Sequence, residues 1–204
     1  MKKTLLVLIA ITAFAFTTTA QEFKIGAKVG LNIASLQGDD LEELDSRTSF
    51  NLGAVAEFPI SEKFSFQPEL LYSAQGAKGE EDASDYDESL SGNIDLTAKL
   101  DYINLPLMAK YYVAPGFSIQ AGPQIGFLVS AKSKAEVGDF SAEEDIKDNF
   151  KSIDFGLNFG LGYQFENGLF IDGRYNLGLS NIADYEDGDV KNGVFQFAVG
   201  YFFL

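Results

Sequence analysis

Strict alternation between bulky apolar residues and small or polar ones runs through residues 152–180 and limits what this chain can fold into. Every odd position from 153 to 165 is apolar, and the same parity resumes over most of 169–179. Successive side chains of a β-strand point to opposite faces, so a period of two predicts strands. Asn167-Gly168, between the two runs, supplies the positive φ angles of a tight turn. The stretch therefore predicts two long antiparallel strands joined as a hairpin.

The residues on the two faces of this hairpin differ in size, and size decides which face is buried. The odd face carries Phe, Tyr, Leu and Ile, whereas the even face carries mostly Gly, Ser, Asn and Gln with a few charges. The interior of an eight-stranded barrel is only just wide enough for side chains to fill, so the small set fits inside it. A soluble, lipocalin-like barrel is the alternative, but its exterior would be rich in Lys and Glu. The pattern favours a barrel whose bulky face contacts lipid.

Further segments continue the pattern and bring the count to eight strands. The predicted strands are residues 23–35, 49–60, 64–76, 96–113, 117–132, the two strands of the hairpin, and 192–204. Their connections alternate strictly between long and short, and outer-membrane barrels have short periplasmic turns and long extracellular loops. We therefore predict an all-β fold, an eight-stranded antiparallel up-and-down transmembrane β-barrel. Both termini would lie in the periplasm and the long loops outside the cell.

The fourth predicted strand breaks the pattern. Leu100 and Tyr102 are apolar at even positions, yet Ile103 and the apolar residues after it lie at odd ones. One extra residue in a strand resets its parity, so we predict a β-bulge near Tyr102. Pro106 also removes a hydrogen-bond donor from the same strand.

The beginning of the chain has the organisation of a secretory signal. Two lysines precede an apolar run at 5–16, and small residues follow up to Ala20. A bilayer span takes about 20 apolar residues, so cleavage after Ala20 is favoured over the alternative, a membrane anchor helix. We predict a cleaved signal peptide at 1–20 and one outer-membrane barrel domain at 21–204. No Cys is present, which excludes a lipoprotein anchor and disulfides.

Several short segments together resemble one family of outer-membrane proteins. They are Lys28-Val29-Gly30-Leu31-Asn32, Gln67-Pro68-Glu69-Leu70-Leu71-Tyr72-Ser73, Tyr102-Ile103-Asn104-Leu105-Pro106-Leu107, Gly122-Pro123-Gln124 and Gly173-Arg174-Tyr175-Asn176-Leu177-Gly178-Leu179. The set resembles the PorT-like outer-membrane β-barrel family over the whole mature chain. The resemblance implies an eight-stranded barrel of the Gram-negative outer membrane, and its namesake branch implies an accessory role in a protein secretion system. It carries over no catalytic or binding residue.

The composition argues against an enzyme. No His and no Cys occur, so Ser-His-Asp and Cys-His nucleophile systems are excluded, and so is the side chain best suited to proton transfer near neutral pH. The formal net charge of −15 also argues against nucleic acid, whose binding depends on Lys and Arg. We expect a non-enzymatic protein without a cofactor or a dedicated metal site.

Charged residues share the inward face of the predicted barrel. They are Lys24, Lys28, Glu57, Glu69, Lys110, Asp154, Asp172 and Arg174. A lipid-facing Lys or Arg at mid-bilayer would cost about 2–4 kcal/mol, which favours the inward placement. Buried charges persist when they are paired, so we predict a structural ion-pair network that fills the lumen and fixes strand register. A path for ions or protons is the alternative, which so narrow a lumen disfavours.

Most of the 30 acidic residues fall in the four long predicted loops, at 37–47, 77–95, 133–149 and 181–191. Such runs are usually solvated surface, although carboxylates also bind Ca²⁺ or Mg²⁺ and could bridge to lipopolysaccharide phosphates. No run has the spacing of a calcium loop. We predict a structural or surface-interaction role through these loops, with outer-membrane lipid, lipopolysaccharide or an extracellular protein as partner. A secretion accessory is the alternative, and a small-solute pore is the third.

Overall fold

The computed structural model describes residues 23–38, 44–82, 93–138, 140–185 and 188–203, which form nine β-strands and one short 3-10 helix. The strands are β1 (Lys24–Gln37), β2 (Asp45–Pro59), β3 (Phe64–Asp82), β4 (Asn93–Ala114), β5 (Phe117–Val137), β6 (Phe140–Asp145), β7 (Ile153–Gln164), β8 (Leu169–Gly178) and β9 (Lys191–Phe202). The 3-10 helix, Lys147–Asn149, follows β6. No helix of the described part is long and apolar enough to cross a membrane. The predicted signal peptide lies outside the described residues.

Eight of the nine strands close into an antiparallel ring. Their order around the ring is β1-β2-β3-β4-β5-β7-β8-β9, and β9 pairs with β1. Pairing between β4 and β5, from Asp95↔Glu136 to Ala114↔Phe117, completes the closure. A closed ring satisfies the backbone groups of every strand, as a strand-built membrane span requires. The predicted eight-stranded barrel is confirmed, and β6 is a ninth strand outside the ring.

The outer surface of the ring is apolar, as the alternation predicts. Phe155 and Phe159 on β7 are 51% and 48% exposed, whereas Asp154 and Asn158, on the other parity of the same strand, are buried. A soluble barrel would bury these aromatic rings in its interior. The outward bulky side chains therefore form the surface that contacts lipid.

The two ends of the barrel differ in the length of their connections. One end, the turn end, carries the short turns, the start of β1 and the last residues of β9. Gly116 and Gly168, in two of these turns, have φ angles of 75° and 89°, which glycine adopts without steric cost. The opposite end, the loop end, carries the four longer connections.

Four strands run farther at the loop end than the alternation predicts, and the first of them, β2, begins at Asp45 and not at 49. β3 continues to Asp82, β4 begins at Asn93 and β5 continues to Val137, where β6 pairs with it. We call these extensions and β6 together the projecting sheet, residues 78–82, 93–99, 132–137 and 140–145. The prediction of loops over 37–47, 77–95 and 133–149 is therefore wrong in part. These extensions lie beyond the lipid, where the outward face of a strand can be charged. The alternation of bulky apolar and small residues that identified the other strands is therefore weak in them.

The extra residue that was predicted near Tyr102 in the fourth strand lies instead in the neighbouring strand, β5. Pairing shifts between Asp101↔Ser130 and Tyr102↔Leu128, which makes Val129 of β5 the extra residue. Leu100 and Tyr102 both point inward and are 0% exposed. The prediction of a bulge that turns these two side chains outward is wrong, because the lumen at their level is apolar.

An apolar cluster fills the lumen at the loop end. Its buried members, which we call the apolar cap, are Leu36, Ala77, Leu100, Tyr102, Leu128, Ala131, Ile182, Ala183 and Val190. The last three belong to the connection between β8 and β9, which folds over the opening. A hydrogen bond of 2.7 Å from the Ile182 amide to the Val190 carbonyl closes this connection on itself.

Candidate functional site: the filled lumen and the projecting sheet

Glu69 of β3 lies at the centre of the buried charges. The guanidinium of Arg174 donates two parallel hydrogen bonds of 3.0 Å to its carboxylate. Lys28 Nζ lies 2.9 Å from Glu69 Oε2, and Gln67 Nε2 donates to Oε1 at 2.7 Å. Asp172 contacts both cations, with Oδ1 3.1 Å from Arg174 Nε and Oδ2 3.5 Å from Lys28 Nζ. All four charged side chains are buried, so each charge is compensated by another charge and not by water.

A second ion pair lies nearer the turn end. Lys110 Nζ is 3.0 Å from Glu57 Oε2 and donates a hydrogen bond of 3.0 Å to Gln67 Oε1. Gln67 therefore links this pair to Glu69. The Tyr112 hydroxyl donates to Glu57 Oε1 at 2.6 Å. Both oxygens of the Glu57 carboxylate thus have a partner.

The two groups together form a charge cluster of balanced sign. Its members are Lys28, Glu57, Glu69, Lys110, Asp172 and Arg174. Three cations face three carboxylates, so the formal charges cancel. An uncompensated ion would cost several kcal/mol at this depth, so the balance is what allows the cluster to stay buried.

Two predicted members of the network, Lys24 and Asp154, do not take part in the ion pairs of this cluster. Lys24 lies at the turn end, with Nζ 5.8 Å from the centroid of the Phe202 ring. Asp154 lies under the apolar cap and accepts hydrogen bonds of 2.8 Å from Ser180 and Asn192. Neither forms an ion pair with any residue that the structure describes. Their inward parity is as predicted. Asp154 lies at another height along the barrel, whereas Lys24 lies opposite Glu57 in the register of β1 and β2 but does not form an ion pair with it.

Amide side chains occupy the lumen between the charge cluster and the apolar cap. Asn32 Nδ2 donates to Ser73 Oγ at 3.0 Å, and Asn32 Oδ1 accepts from Asn51 at 2.6 Å and from Gln196 at 3.2 Å. A second group on β5, β7 and β8 consists of Gln124, Asn158 and Asn176. The bond from Asn32 to Ser73 joins β1 to β3, which are not neighbours in the ring, whereas the other bonds join neighbouring strands.

A cavity of about 810 Å³ opens at the turn end of the lumen. Lys24, Glu57, Tyr112 and Gln164 are among the residues that line it. Beyond it, the charge cluster, the amides and the apolar cap follow one another toward the loop end. The barrel therefore has a packed interior and not a water-filled channel, as expected for eight strands.

Three polar side chains that contact the buried charges were not among the residues predicted for the network. Gln67 and Tyr112 bind the charged residues directly, and Gln120 Oε1 accepts from Arg174 Nη2 at 3.4 Å. Each lies on the inward parity of its strand, which is the signal that could have identified it. Which charge each one reaches depends on the register between strands, and a single sequence does not contain that information.

Charged side chains cover the outward face of the projecting sheet. Glu143 of β6 binds Lys132 at 2.6 Å and Lys99 at 2.8 Å. Hydrogen bonds from these two amines lower the pKa of Glu143 to about 2. Lys134 pairs with Glu136 at 2.7 Å. The contacts of Glu143 tie β6 to β5 and β4 above the lipid, whereas the Lys134–Glu136 pair lies within β5.

Metal binding by the acidic segments receives no support from side-chain geometry. Within the described ranges, no three His, Cys, Asp or Glu side chains group closely enough to hold a metal ion. Parts of the acidic segments, at 39–43, 83–92 and 186–187, lie outside the described residues.

Two solved structures are similar to this barrel. One is Ail, the attachment invasion locus protein of Yersinia pestis, with a TM-score of 0.52 and 17% identity over 90% of this chain and 100% of that chain. The other is Neisserial surface protein A, NspA, with a TM-score of 0.52 and 15% identity over 89% of this chain and 97% of that chain. Identities this low show a shared fold and nothing more.

The sequence itself matches one described family. No curated protein matches the chain. The family described as "outer membrane protein beta-barrel domain" matches residues 19–184, which is most of the chain. The narrower PorT-like resemblance stays a prediction. The match over this length, together with the closed eight-stranded ring, shows that the chain belongs to the family of outer-membrane proteins built on this β-barrel domain.

Proposed function

We propose that this outer-membrane protein is a closed, non-enzymatic barrel that displays its projecting sheet for binding outside the cell. One observation carries the proposal: buried side chains fill the lumen, whereas four strand segments continue past the apolar band as a paired sheet. A filled barrel leaves its ends as the places where a partner can bind. Of the two ends, the loop end offers the larger ordered surface.

Order in the projecting sheet supports a binding role over a purely solvated one. β3 and β4 remain paired as far as Asp82↔Asn93, and β5 and β6 pair at six consecutive positions. Ion pairs around Glu143 reinforce the outward face. A rigid surface loses less conformational entropy on binding than a mobile loop does. The partners that fit an acidic surface of this kind are an extracellular protein, or lipopolysaccharide through bridging cations.

Single-cysteine labelling tests the orientation and the role together. The chain has no Cys, so Ser141→Cys on β6 and Ser61→Cys in a short turn each introduce a unique thiol. We expect a membrane-impermeant maleimide to label Ser141→Cys on intact cells and Ser61→Cys only after the outer membrane is permeabilised. The reverse pattern would contradict the proposal. A crosslinker on Ser141→Cys should then capture a partner that a variant with residues 133–144 replaced by a short Gly-Ser linker does not retain.

An accessory role in secretion is the second proposal, and the cavity at the turn end supports it. In the proposed orientation this cavity faces the periplasm, where the soluble parts of a secretion system would meet it. Crosslinking from Ser61→Cys to a single periplasmic protein would favour this role. A small-solute pore is the least supported function, and planar-bilayer recordings without conductance steps would remove it.

A further inference from the structure

The projecting sheet has one charged face and one apolar face. Lys99, Lys132 and Glu143 lie on the outward face. The inward face continues the parity of the apolar cap and carries the apolar residues Ile94, Leu96, Ala98, Ala135, Val137, Phe140 and Ala142. Phe140 is 84% exposed and Val137 41%, Ala142 is exposed, and the other four residues are only partly buried. An amphipathic sheet of this kind has an apolar surface that water does not favour.

The outer edge of β6 has no neighbour in the part of the chain that the structure describes. β6 is the last strand in the order of the sheet and pairs with β5 alone. All six of its residues are exposed, and the pairing from Lys132↔Asp145 to Val137↔Phe140 has no register shift. Proteins usually protect such edges with Pro, Lys, a bulge or a covering segment. The sequence of β6, Phe-Ser-Ala-Glu-Glu-Asp, contains neither Pro nor Lys.

The charges along β6 define what kind of strand fits this edge. The inward face of β6 carries Phe140, Ala142 and Glu144, and the outward face carries Ser141, Glu143 and Asp145, so that the second half presents three acidic residues in a row. Glu143 is bound by two lysines, but Glu144 and Asp145 make no ion pair among the described residues. A strand beside this edge would need apolar residues on the inward face and Lys or Arg near the acidic half.

We propose that β6 captures an extended, basic and apolar segment of another polypeptide by strand addition. Main-chain hydrogen bonds to the free edge would supply affinity, and the acidic second half of β6 would supply preference for basic sequences. A second copy of this chain fits less well, because its formal charge of −15 opposes self-association. The proposal rests on the surface role proposed above and names the class of partner for it.

Binding of a defined peptide to the purified protein tests the proposal. The protein is folded in nanodiscs of zwitterionic lipid, and the probe is a fluorescent eight-residue peptide that alternates Val and Lys. We expect saturable binding, with hydrogen-exchange protection gained at residues 140–145. A fully N-methylated peptide of the same sequence retains the charge but lacks the backbone donors, and it should bind about ten-fold more weakly.

A matched pair of charge reversals supplies the control. Glu144→Lys and Glu62→Lys change the net charge equally, but Glu62 lies in an exposed turn at the opposite end of the barrel. Glu144→Lys should weaken peptide binding about five-fold, and Glu62→Lys should change it by less than about two-fold. Equal effects of the two variants, equal binding of the N-methylated peptide, or self-association without peptide binding would each overturn the proposal. This assay is independent of membrane orientation, so its failure leaves the cysteine-labelling test of the surface role standing.

Discussion

The guanidinium of Arg174 binds the carboxylate of Glu69 through two parallel hydrogen bonds of 3.0 Å, although 105 positions separate the two residues in the chain. The pair joins β8 to β3 across the interior of the ring. Bidentate geometry fixes both the distance and the orientation of the two strands. The contact is therefore the most specific link among the buried charges of the lumen.

Loss of this cation should destabilise the barrel. In Arg174→Met, Glu69 retains Lys28 as its cation, and the charge cluster is left with one excess negative charge. Removing one partner of a buried ion pair costs about 3–5 kcal/mol, so we expect the free energy of unfolding in detergent to fall by about this amount. Urea titration followed by circular dichroism measures it. Lys63→Met, in an exposed turn, should change it by less than about 0.5 kcal/mol. Unchanged stability together with new conductance would favour an ion path instead.

The apolar cap should depend on Tyr102. Its ring is fully buried, and its hydroxyl accepts a hydrogen bond of 3.3 Å from Asn192. Tyr102→Ala leaves a cavity in the cap and should lower the free energy of unfolding by about 3–5 kcal/mol. Water can then enter the cap from the loop end, so the hydrogen-exchange protection of the Ile182, Ala183 and Val190 amides should fall. The amides and the charge cluster still fill the lumen below, so planar-bilayer recordings should show no conductance steps. Tyr111→Ala removes an outward-facing ring of the same strand and should leave this protection unchanged, and an equal loss in this control would contradict a role for the cap.

Gly76 should not tolerate a side chain. Its φ angle is 123°, and a Cβ atom at this position would overlap the carbonyl oxygen of Ala98 on β4. Gly76→Ala should therefore lower the free energy of unfolding by about 1–3 kcal/mol, measured by the same urea titration. Gly173→Ala is the matched control, because a Cβ there would meet only Phe197 at 3.5 Å, an ordinary contact distance. Equal stability of the two variants would show that the backbone at Gly76 can relax.

Acid should loosen β6. The pKa of Glu143 falls from 4.5 to about 2 in the folded protein, because Lys132 and Lys99 donate hydrogen bonds to its carboxylate. A depressed folded-state pKa means that the contribution of these bonds is complete above pH 4.5 and is lost as the pH falls toward 2. Hydrogen-exchange protection factors at residues 140–145, which are corrected for the intrinsic pH dependence of amide exchange, should fall over this range. A carboxyl titration by carbon NMR should place the midpoint of Glu143 near 2.

Two variants check the origin of this pH dependence. Replacing Lys99 and Lys132 together with Met should return the pKa of Glu143 toward 4.5, because the hydrogen bonds that lower it are gone. Glu143→Gln should make the protection factors of β6 insensitive to pH between 2 and 4.5. Persistent pH dependence in Glu143→Gln would assign the effect to another group.

Alternation in the sequence was sufficient to predict the ring and its two faces. In β7, Phe155 and Phe159 face lipid while Asp154 and Asn158 face the lumen, because lipid accepts only the bulky apolar set. The same rule fails at Leu100 and Tyr102. The connection between β8 and β9 covers that part of the lumen and makes its interior apolar, and this coverage depends on residues 80 or more positions away.

For the charged residues too, the sequence predicts the face on which they lie but not the residues that they contact. Parity placed all of the predicted lumen charges on the inward face, but parity carries no information on height or register. Lys28, Glu69 and Arg174 meet because β1, β3 and β8 have particular offsets within the ring. β6 was missed because its six residues are exposed on both faces and carry no apolar alternation.

The position of Glu69 also constrains how this protein enters the membrane. Its cations come from β1 and β8, so a partly assembled barrel that contains only the first few strands would hold the carboxylate without the guanidinium. Stepwise insertion of single hairpins would leave the carboxylate with Lys28 alone, on an open sheet in contact with hydrocarbon, until β8 arrives. Assembly should therefore favour a nearly complete, curled sheet that inserts and seals in one event.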